Sequence, residues 1–167
     1  STPVGQKLAA LAGDQAKPCV MELGGHAPVL VFDDAKLDKA IDLSVTTKSR
    51  NSGQVCISPT RFFVQEAVYD KFLTGFTEKF AALRIGNGLD NDTQMGPLAN
   101  PRRIAEIDDL VQDAVSKGAR LMTGGKRLDR PGNFYEATVL ADVPATARIM
   151  QEEPFGPIAI INKFSSC

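Results

Sequence analysis

Hydrophobic positions along the chain follow two periodicities in turn, and these predict an alternation of strands and helices. Residues 29–32, Val-Leu-Val-Phe, form a continuous apolar run that indicates a strand buried on both faces. Val68, Phe72, Phe76 and Phe80 recur every four residues, which predicts the buried face of a helix. Aromatic residues at this spacing belong far more often to a core than to a ligand site, so we assign them no binding function.

The other predicted elements continue this alternation. One helix is predicted at 4–12, and another runs from the cap Asn100 to the stop Gly118. Between them, Asp33 and Asp34 are predicted to cap a helix whose apolar residues on one face are Leu37, Ala40, Ile41 and Val45. Strands are predicted at 61–65, 121–123, 137–140 and 158–161. Residues 50–59 show no clear period, so they are predicted to be a loop, or a loop that enters a helix. The whole pattern predicts an α/β fold with a largely parallel sheet flanked by helices.

Composition limits the size and the partners of this fold. At 167 residues, 43% of them hydrophobic, the chain can bury one sizeable core and little more than one domain. Its net charge of -1, with acidic and basic residues interleaved, points neither to nucleic acid nor to a membrane surface as a partner. No apolar run reaches the length of a membrane-spanning helix, and no signal peptide opens the sequence. The chain begins Ser-Thr-Pro-Val without methionine, so we expect a processed protein or a fragment.

Three cysteines, Cys19, Cys56 and Cys167, are widely separated, and the chain has a single histidine, His26. Because these residues do not provide the usual ligand spacing of a zinc site, we expect no metal. A sparse and odd number of cysteines is typical of a reducing compartment, which predicts a cytoplasmic protein. Each thiol is then either a small core side chain or a reactive group.

Cys56 is the first candidate for chemistry. It lies in the irregular segment, where Gly53 allows the backbone to approach a ligand closely. If the loop enters a helix, the helix dipole favours the thiolate. The alternatives are a small core residue or, with His26, the dyad of a thiol hydrolase. His26 has no orienting partner nearby in sequence, which favours an ordinary structural histidine.

Acidic residues at two positions are further candidates. Glu22 stands between an apolar segment and two glycines, where it is either a solvated carboxylate or, in an apolar pocket, a general base suited to neutral pH. Glu152 and Glu153 precede a rigid Pro-Phe-Gly-Pro turn. They either belong to a surface loop or accept hydrogen bonds from the vicinal hydroxyls of a ribose.

Taken in order, three motifs resemble the aldehyde dehydrogenase superfamily. Residues 22–25, Glu-Leu-Gly-Gly, match its glutamate signature, residues 53–56, Gly-Gln-Val-Cys, match its cysteine signature, and residues 152–157, Glu-Glu-Pro-Phe-Gly-Pro, match a third hallmark. The resemblance covers the whole chain, but the chain resembles only about the middle-to-late third of such an enzyme. It implies that residues 1–21 are the tail of the cofactor-binding domain and that 22–167 are the catalytic domain, truncated at its C-terminus.

The resemblance implies an oxidoreductase that converts an aldehyde to a carboxylic acid with NAD or NADP. Cys56 would attack the aldehyde to form a thiohemiacetal, which becomes a thioester after hydride loss. The backbone N–H of Cys56 would donate to the oxyanion, and Glu22 would activate the water that hydrolyses the thioester.

Cofactor and substrate contacts follow from the same resemblance. Glu153 would bind the nicotinamide ribose, and Phe155 would pack beside the nicotinamide ring. Ser1 matches a serine at a helix N-terminus near the cofactor pyrophosphate, and Val4 matches a residue of the adenine slot. Arg50 matches the arginine that binds the substrate carboxylate in succinate-semialdehyde dehydrogenases. A surface arginine in a structural ion pair is the alternative.

Several expectations complete this interpretation. Ser58 occupies the position of a second cysteine that forms a redox switch in some succinate-semialdehyde dehydrogenases, so no such switch is expected here. The intact enzyme is expected to be a homo-oligomer, a dimer or tetramer, whereas the isolated chain should bind the cofactor poorly and turn over slowly or not at all. A non-catalytic domain that keeps the fold for binding or assembly is the alternative class. Retention of Glu22, Cys56 and Glu153 together argues against it.

Overall fold

The structure, a computed structural model, describes residues 1–165, so Cys167 lies outside the described residues. The helices are α1 (Thr2–Asp14), α2 (Leu37–Ser49), α3 (Glu66–Ala81) and α4 (Pro101–Ser116), and the strands are β1 (Ala27–Val31), β2 (Pro59–Gln65), β3 (Arg120–Thr123), β4 (Thr138–Ala141) and β5 (Ile158–Phe164). Short 3-10 helices are present at Arg50–Gly53 and Arg148–Met150.

The five strands form one sheet in the order β1-β2-β5-β4-β3. Three of the four pairings are parallel, and only β3 runs antiparallel to its neighbour β4. The predicted α/β fold with a largely parallel sheet flanked by helices is therefore confirmed.

The centre of the sheet is buried on both faces because helices cover each side. Along β5, Ile158 and Ile160 join the cluster that includes the apolar residues of α4, whereas Ala159 and Ile161 join the cluster that includes those of α2 and α3. The predicted aromatic face of α3 lies in the second of these clusters. Phe72 and Phe76 pack on Phe62 of β2, and Phe80 packs on Phe76, with neighbouring ring centroids 5.2–6.1 Å apart.

Two details of the first strand and helix differ from the prediction. The strand predicted at 29–32 is not buried on both faces, since burial alternates along β1 and the Leu30 side chain is 59% exposed. The reason is that Val29 and Val31 pack on the cluster that includes α2, whereas Leu30 points to the other face and belongs to neither core cluster. Asp33 and Asp34 do not cap α2, which begins at Leu37. Instead, the backbone N–H of Asp33 donates to the Gln65 side chain at 2.9 Å, within the turn that follows β1.

The helix termini of α4 follow the prediction closely. Asn100 is its N-cap, with a side-chain oxygen that accepts from the Arg103 N–H at 3.2 Å, and Pro101 begins the helix. The helix ends at Ser116, and Gly118 then adopts φ +104°, which suits a residue without a side chain. Within residues 1–165, no helix is both long and apolar enough to cross a membrane.

Candidate active site

Three loops meet at one edge of the sheet because they lead into three neighbouring parallel strands. Residues 22–25 precede β1, residues 53–56 precede β2, and residues 152–157 precede β5. Since β1 pairs with β2 and β2 pairs with β5, all in parallel, the amino ends of these strands lie side by side. The topology therefore brings together the three motifs that the sequence places far apart.

Glycines allow these loops to touch. A Cβ atom on Gly24 would collide with the carboxylate of Glu153. A Cβ atom on Gly25 would lie 2.7 Å from the carbonyl oxygen of Cys56, which is closer than real Cβ contacts allow. The two glycines that follow Glu22 thus place the first loop directly against the other two.

The segment 50–58, which we name the thiol loop, has an unusual backbone. Asn51, Ser52 and Gly53 have φ values of 49°, 56° and 72°, so three consecutive residues adopt left-handed conformations. Each non-glycine residue in such a conformation costs on the order of 1–3 kcal/mol. A Cβ atom on Gly53 would also collide with the carbonyl oxygen of Gly156, so this residue seats the thiol loop on the loop before β5.

Side-chain hydrogen bonds hold the thiol loop in this conformation. The hydroxyl of buried Ser52 donates to the Gly96 carbonyl at 2.6 Å. The Gln54 side chain donates to the Asn51 carbonyl at 3.0 Å and accepts from the Ala99 N–H at 2.9 Å. The loop is therefore tied both to itself and to the segment that leads into α4.

Cys56 lies at the exposed tip of the thiol loop. The turn around it is closed by a bond from the Ser58 N–H to the Val55 carbonyl at 2.9 Å, and the chain then enters β2. Of the two alternatives left by the sequence, the plain loop is therefore correct and the loop that enters a helix is not, so no helix begins at this thiol. Within residues 1–165 the backbone N–H of Cys56 donates to no other group, so it is free to bind an external acceptor.

Glu22, Cys56, Glu153 and Phe155 line one pocket of about 720 Å³. Glu22 is exposed, so it is not enclosed by apolar groups as one interpretation of the sequence required. Glu153 is half-buried against the backbone of Gly24. The pocket thus presents a thiol and two carboxylates beside one aromatic ring.

The two adjacent glutamates have different surroundings. The Glu152 carboxylate accepts from the Arg148 guanidinium at 2.8 and 3.1 Å. These hydrogen bonds hold the pKa of the Glu152 carboxyl below its usual value. Glu152 is not among the residues that line the pocket, so only Glu153 of this pair faces it.

The remaining predicted binding residues lie at different distances from this pocket. Ser1 lines it as the N-cap residue of α1, and its hydroxyl makes no capping hydrogen bond to the helix. Val4 lies in the first turn of α1 outside the lining, with 54% of its surface exposed. Arg50 is exposed, lies outside the lining and makes no ion pair within the described part of the chain.

His26 is engaged in the structure and is no partner for the thiol. Its Nε2 atom lies 2.8 Å from the carbonyl oxygen of Ile149, which requires a proton on that nitrogen. Burial lowers the pKa of this imidazole, which favours the neutral form. His26 does not line the pocket of Cys56, so the arrangement of a Cys–His hydrolase is not formed.

Two further basic residues at the site escaped prediction. Arg103 lines the pocket, with its guanidinium carbon 5.9 Å from the Phe155 ring centroid and a bond of 2.8 Å to Glu106. It lies on the polar side of an amphipathic helix, where no sequence signal separates it from an ordinary surface arginine. Lys48 lies on the buried face of α2 with Ile41 and Val45. A lysine at that spacing on an apolar face was a signal that could have been used.

The chain is similar to known proteins over nearly its whole length. A model of the aldehyde dehydrogenase family matches residues 1–167. The chain is 43% identical over 164 residues to a succinate-semialdehyde dehydrogenase [NADP(+)] of Escherichia coli, covering 98% of this chain and 34% of that protein. It is 44% identical over 164 residues to a glutarate-semialdehyde dehydrogenase of Pseudomonas putida, again covering 98% of this chain and 34% of the relative.

The fold matches solved structures equally well. A succinate-semialdehyde dehydrogenase from Burkholderia pseudomallei superposes with a TM-score of 0.96 at 42% identity, covering 99% of this chain and 34% of that chain. The chain thus spans about a third of the length of the relatives that it matches. Within residues 1–165, no group of three His, Cys, Asp or Glu side chains is arranged to hold a metal ion. The three motifs, their meeting at one pocket and the match over the full length show that this chain belongs to the aldehyde dehydrogenase family.

Proposed function

We propose that this chain forms the thiol-bearing part of an NAD(P)-dependent aldehyde dehydrogenase, with Cys56 as nucleophile. The observation that carries the proposal is the convergence of Cys56, Glu22 and Glu153 on one pocket from three distant segments. A domain kept only for binding or assembly has no need of a thiol and two carboxylates at one place. Residues 1–21 would belong to the cofactor-binding domain, since α1 buries only Gly5 and leaves most of its surface uncovered.

In the proposed reaction, the Cys56 thiolate attacks the aldehyde carbon and forms a C–S bond. The carbonyl oxygen becomes an oxyanion that accepts from the free N–H of Cys56. Loss of hydride from the same carbon restores the C=O bond and leaves a thioester. The Glu22 carboxylate then takes a proton from water, the resulting hydroxide attacks the thioester, and the C–S bond breaks to release the acid and the thiolate.

The pocket fits the nicotinamide half of a dinucleotide. Glu153 offers carboxylate oxygens for a ribose diol, Phe155 offers an aromatic face, and Ser1 stands at a helix N-terminus suited to phosphate. The nicotinamide, when bound, would supply the acceptor for the hydride. The sequence analysis left NAD and NADP as open alternatives, and a cytoplasmic location and assembly into a dimer or tetramer stay predictions.

An aldehyde that also carries a carboxylate is the proposed substrate. Both relatives compared above are named for semialdehydes of dicarboxylic acids. Arg50 supports this choice because its guanidinium is exposed and unpaired within residues 1–165, six positions before Cys56. Because Arg50 does not line the pocket, it is the least supported of the proposed contacts.

Selective alkylation tests the nucleophile within this chain. Cys19 is an internal control, because both it and Cys56 are exposed. We expect iodoacetamide to modify Cys56 at least about tenfold faster than Cys19 at pH 7, as an activated thiol requires. Peptide mass spectrometry would give both rates. Equal rates would contradict the assignment of Cys56.

Turnover tests the reaction and the substrate. This chain would replace the matching third of the Escherichia coli relative, and the hybrid would be assayed with succinic semialdehyde and with butanal. We expect Cys56→Ala to abolish NAD(P)H formation and Glu22→Gln to slow it by about 10²–10⁴-fold. Arg50→Gln should lower kcat/KM for succinic semialdehyde but not for butanal. An equal loss for both aldehydes would remove Arg50 from substrate recognition.

A further inference from the structure

Lys48 is among the most deeply buried side chains of the molecule. It lies near the C-terminal end of α2 with 1% of its surface exposed. No carboxylate lies within ion-pair distance of its ammonium in residues 1–165. Its hydrogen-bond partner is the hydroxyl of Ser58, at 3.4 Å. Burial of an ammonium without an ion pair costs several kcal/mol, so a purely structural role would be better served by an apolar side chain.

The ammonium lies beneath the junction of two loops of the candidate active site. Ser58 ends the turn that carries Cys56. A Cβ atom on Gly53 would lie 3.1 Å from the Lys48 nitrogen and would also meet the Gly156 carbonyl oxygen. Lys48 is therefore next to the point where the thiol loop is seated on the loop before β5.

We propose that Lys48 is a positioning residue, whose buried ammonium holds the thiol loop against the loop at 152–157 so that Cys56 and Glu153 face the same pocket. This inference rests on the proposed function of these two residues. Lys48 touches neither substrate nor cofactor in this role. It acts through the Ser58 hydroxyl and through its attraction for the Glu153 carboxylate.

The charge of Lys48 responds to pH in the neutral range. Burial lowers its pKa to about 7, while the Glu153 carboxylate acts in the opposite direction. The other charged or titratable groups that share its surroundings are His26 and Arg61, since the charges of Lys48 and Arg61 both disfavour the cationic form of His26. Burial also lowers the pKa of His26, and the thiol itself ionises on alkylation, so only a pH-dependent change that is lost when Lys48 is replaced reports on Lys48.

Alkylation of Cys56 between pH 6.5 and 9 tests the proposal without requiring turnover. Lys48→Met removes the ammonium, and Lys79→Met is the matched control because Lys79 is a half-exposed lysine paired with Asp42. We expect Lys48→Met to slow Cys56 alkylation at pH 6.5 at least about fivefold and to leave Cys19 unchanged. The unaltered chain should show an inflection near pH 7 in its Cys56 profile, and Lys48→Met should lose it. A residue that only fills space would not produce this change in the profile.

Identical rates and identical pH profiles in Lys48→Met and Lys79→Met would overturn the proposal. Lys48→Gln, which is one atom shorter than lysine and keeps a polar end without the charge, carries the same expectation if the methionine variant does not fold by circular dichroism. The proposed function is overturned by a different result, namely that Cys56 reacts no faster than Cys19 in the unaltered chain. The comparison of Lys48 variants remains measurable in that case, so the two failures are distinguishable.

Discussion

Gly53 satisfies two constraints at once, and both arise from contacts between the loops of the candidate active site. Its φ of +72° is strained for residues with a side chain, and the carbonyl of Gly156 occupies the space where a Cβ atom would stand. Asn51 and Ser52 adopt similar dihedral angles with their side chains turned into hydrogen bonds. The strain of the thiol loop is therefore concentrated where it presents Cys56.

Replacement of Gly53 separates the two constraints. We expect Gly53→Ala to lower the free energy of unfolding by about 2–4 kcal/mol, because the backbone is strained and the added methyl group collides with backbone atoms. Gly118→Ala is the control, since Gly118 has φ +104° but open space around it, and should cost about 1 kcal/mol. Urea denaturation of both variants would measure these values. Equal losses would show that the contact with Gly156 contributes nothing.

At the scale of the secondary-structure elements, α4 links its own capping to the pocket. The Asn100 cap lies next to Ala99, whose N–H donates to Gln54 of the thiol loop, and Arg103 in the first turn reaches the pocket. The start of α4 is therefore part of the site. By contrast, the cap residue of α1, Ser1, makes no side-chain hydrogen bond to its helix.

The two caps provide a matched pair of variants. Asn100→Ala should lower the free energy of unfolding by about 1 kcal/mol, because the Arg103 N–H loses its side-chain acceptor. Ser1→Ala should change it by less than about 0.5 kcal/mol. Thermal and urea unfolding would test this difference. If both variants lost the same stability, the capping bond of Asn100 would not be the cause.

At the scale of the whole molecule, stability and the arrangement of the site make opposite demands at Lys48. The residue occupies a core position, where an apolar side chain of similar length packs without the cost of a buried charge. Burial lowers the pKa of the amine to about 7, from 10.5 in the unfolded chain. The unfolded state therefore binds more protons between these two values, and stability must rise with pH across that range.

Lys48→Met should consequently be more stable than the unaltered protein at pH 6.5, by about 1–4 kcal/mol. As pH rises from 7 toward 10, the free energy of unfolding of the unaltered protein should increase by about 1 kcal/mol per pH unit, because its folded state no longer carries the buried charge. The difference in free energy of unfolding between Lys48→Met and the unaltered protein should be taken at each pH, because the titration of all other groups then contributes equally to both proteins and cancels. A difference in stability that does not vary with pH would contradict a shifted pKa at Lys48.

Local patterns in the sequence were sufficient for most of the fold. Spacing of apolar residues identified α3 and α4, and the Asn-Pro start of α4 marked its first residue, because capping and periodicity act within one or two turns. The same logic overestimated the burial of the strand at 29–32, since an apolar run does not reveal which faces of its strand are covered by helices. For residues 50–59 the sequence left two alternatives, a loop or a loop that enters a helix, because a segment without periodicity does not distinguish them; the structure has the loop, followed by the strand predicted at 61–65.

For the candidate active site, the sequence predicted which residues are chemically important but not which of them lie close together. Residue type and short motifs identified Cys56, Glu22 and Glu153, because thiol and carboxylate chemistry is a property of the side chains themselves. Their meeting depends on the strand order β1-β2-β5, which makes three distant loops neighbours at the amino ends of parallel strands. Burial of Lys48 under the thiol loop depends on the same arrangement, since its surroundings come from segments at 53–58 and 153–156. Which groups are reactive follows from covalent chemistry, but which groups touch follows from packing, and no single segment of the chain contains that information.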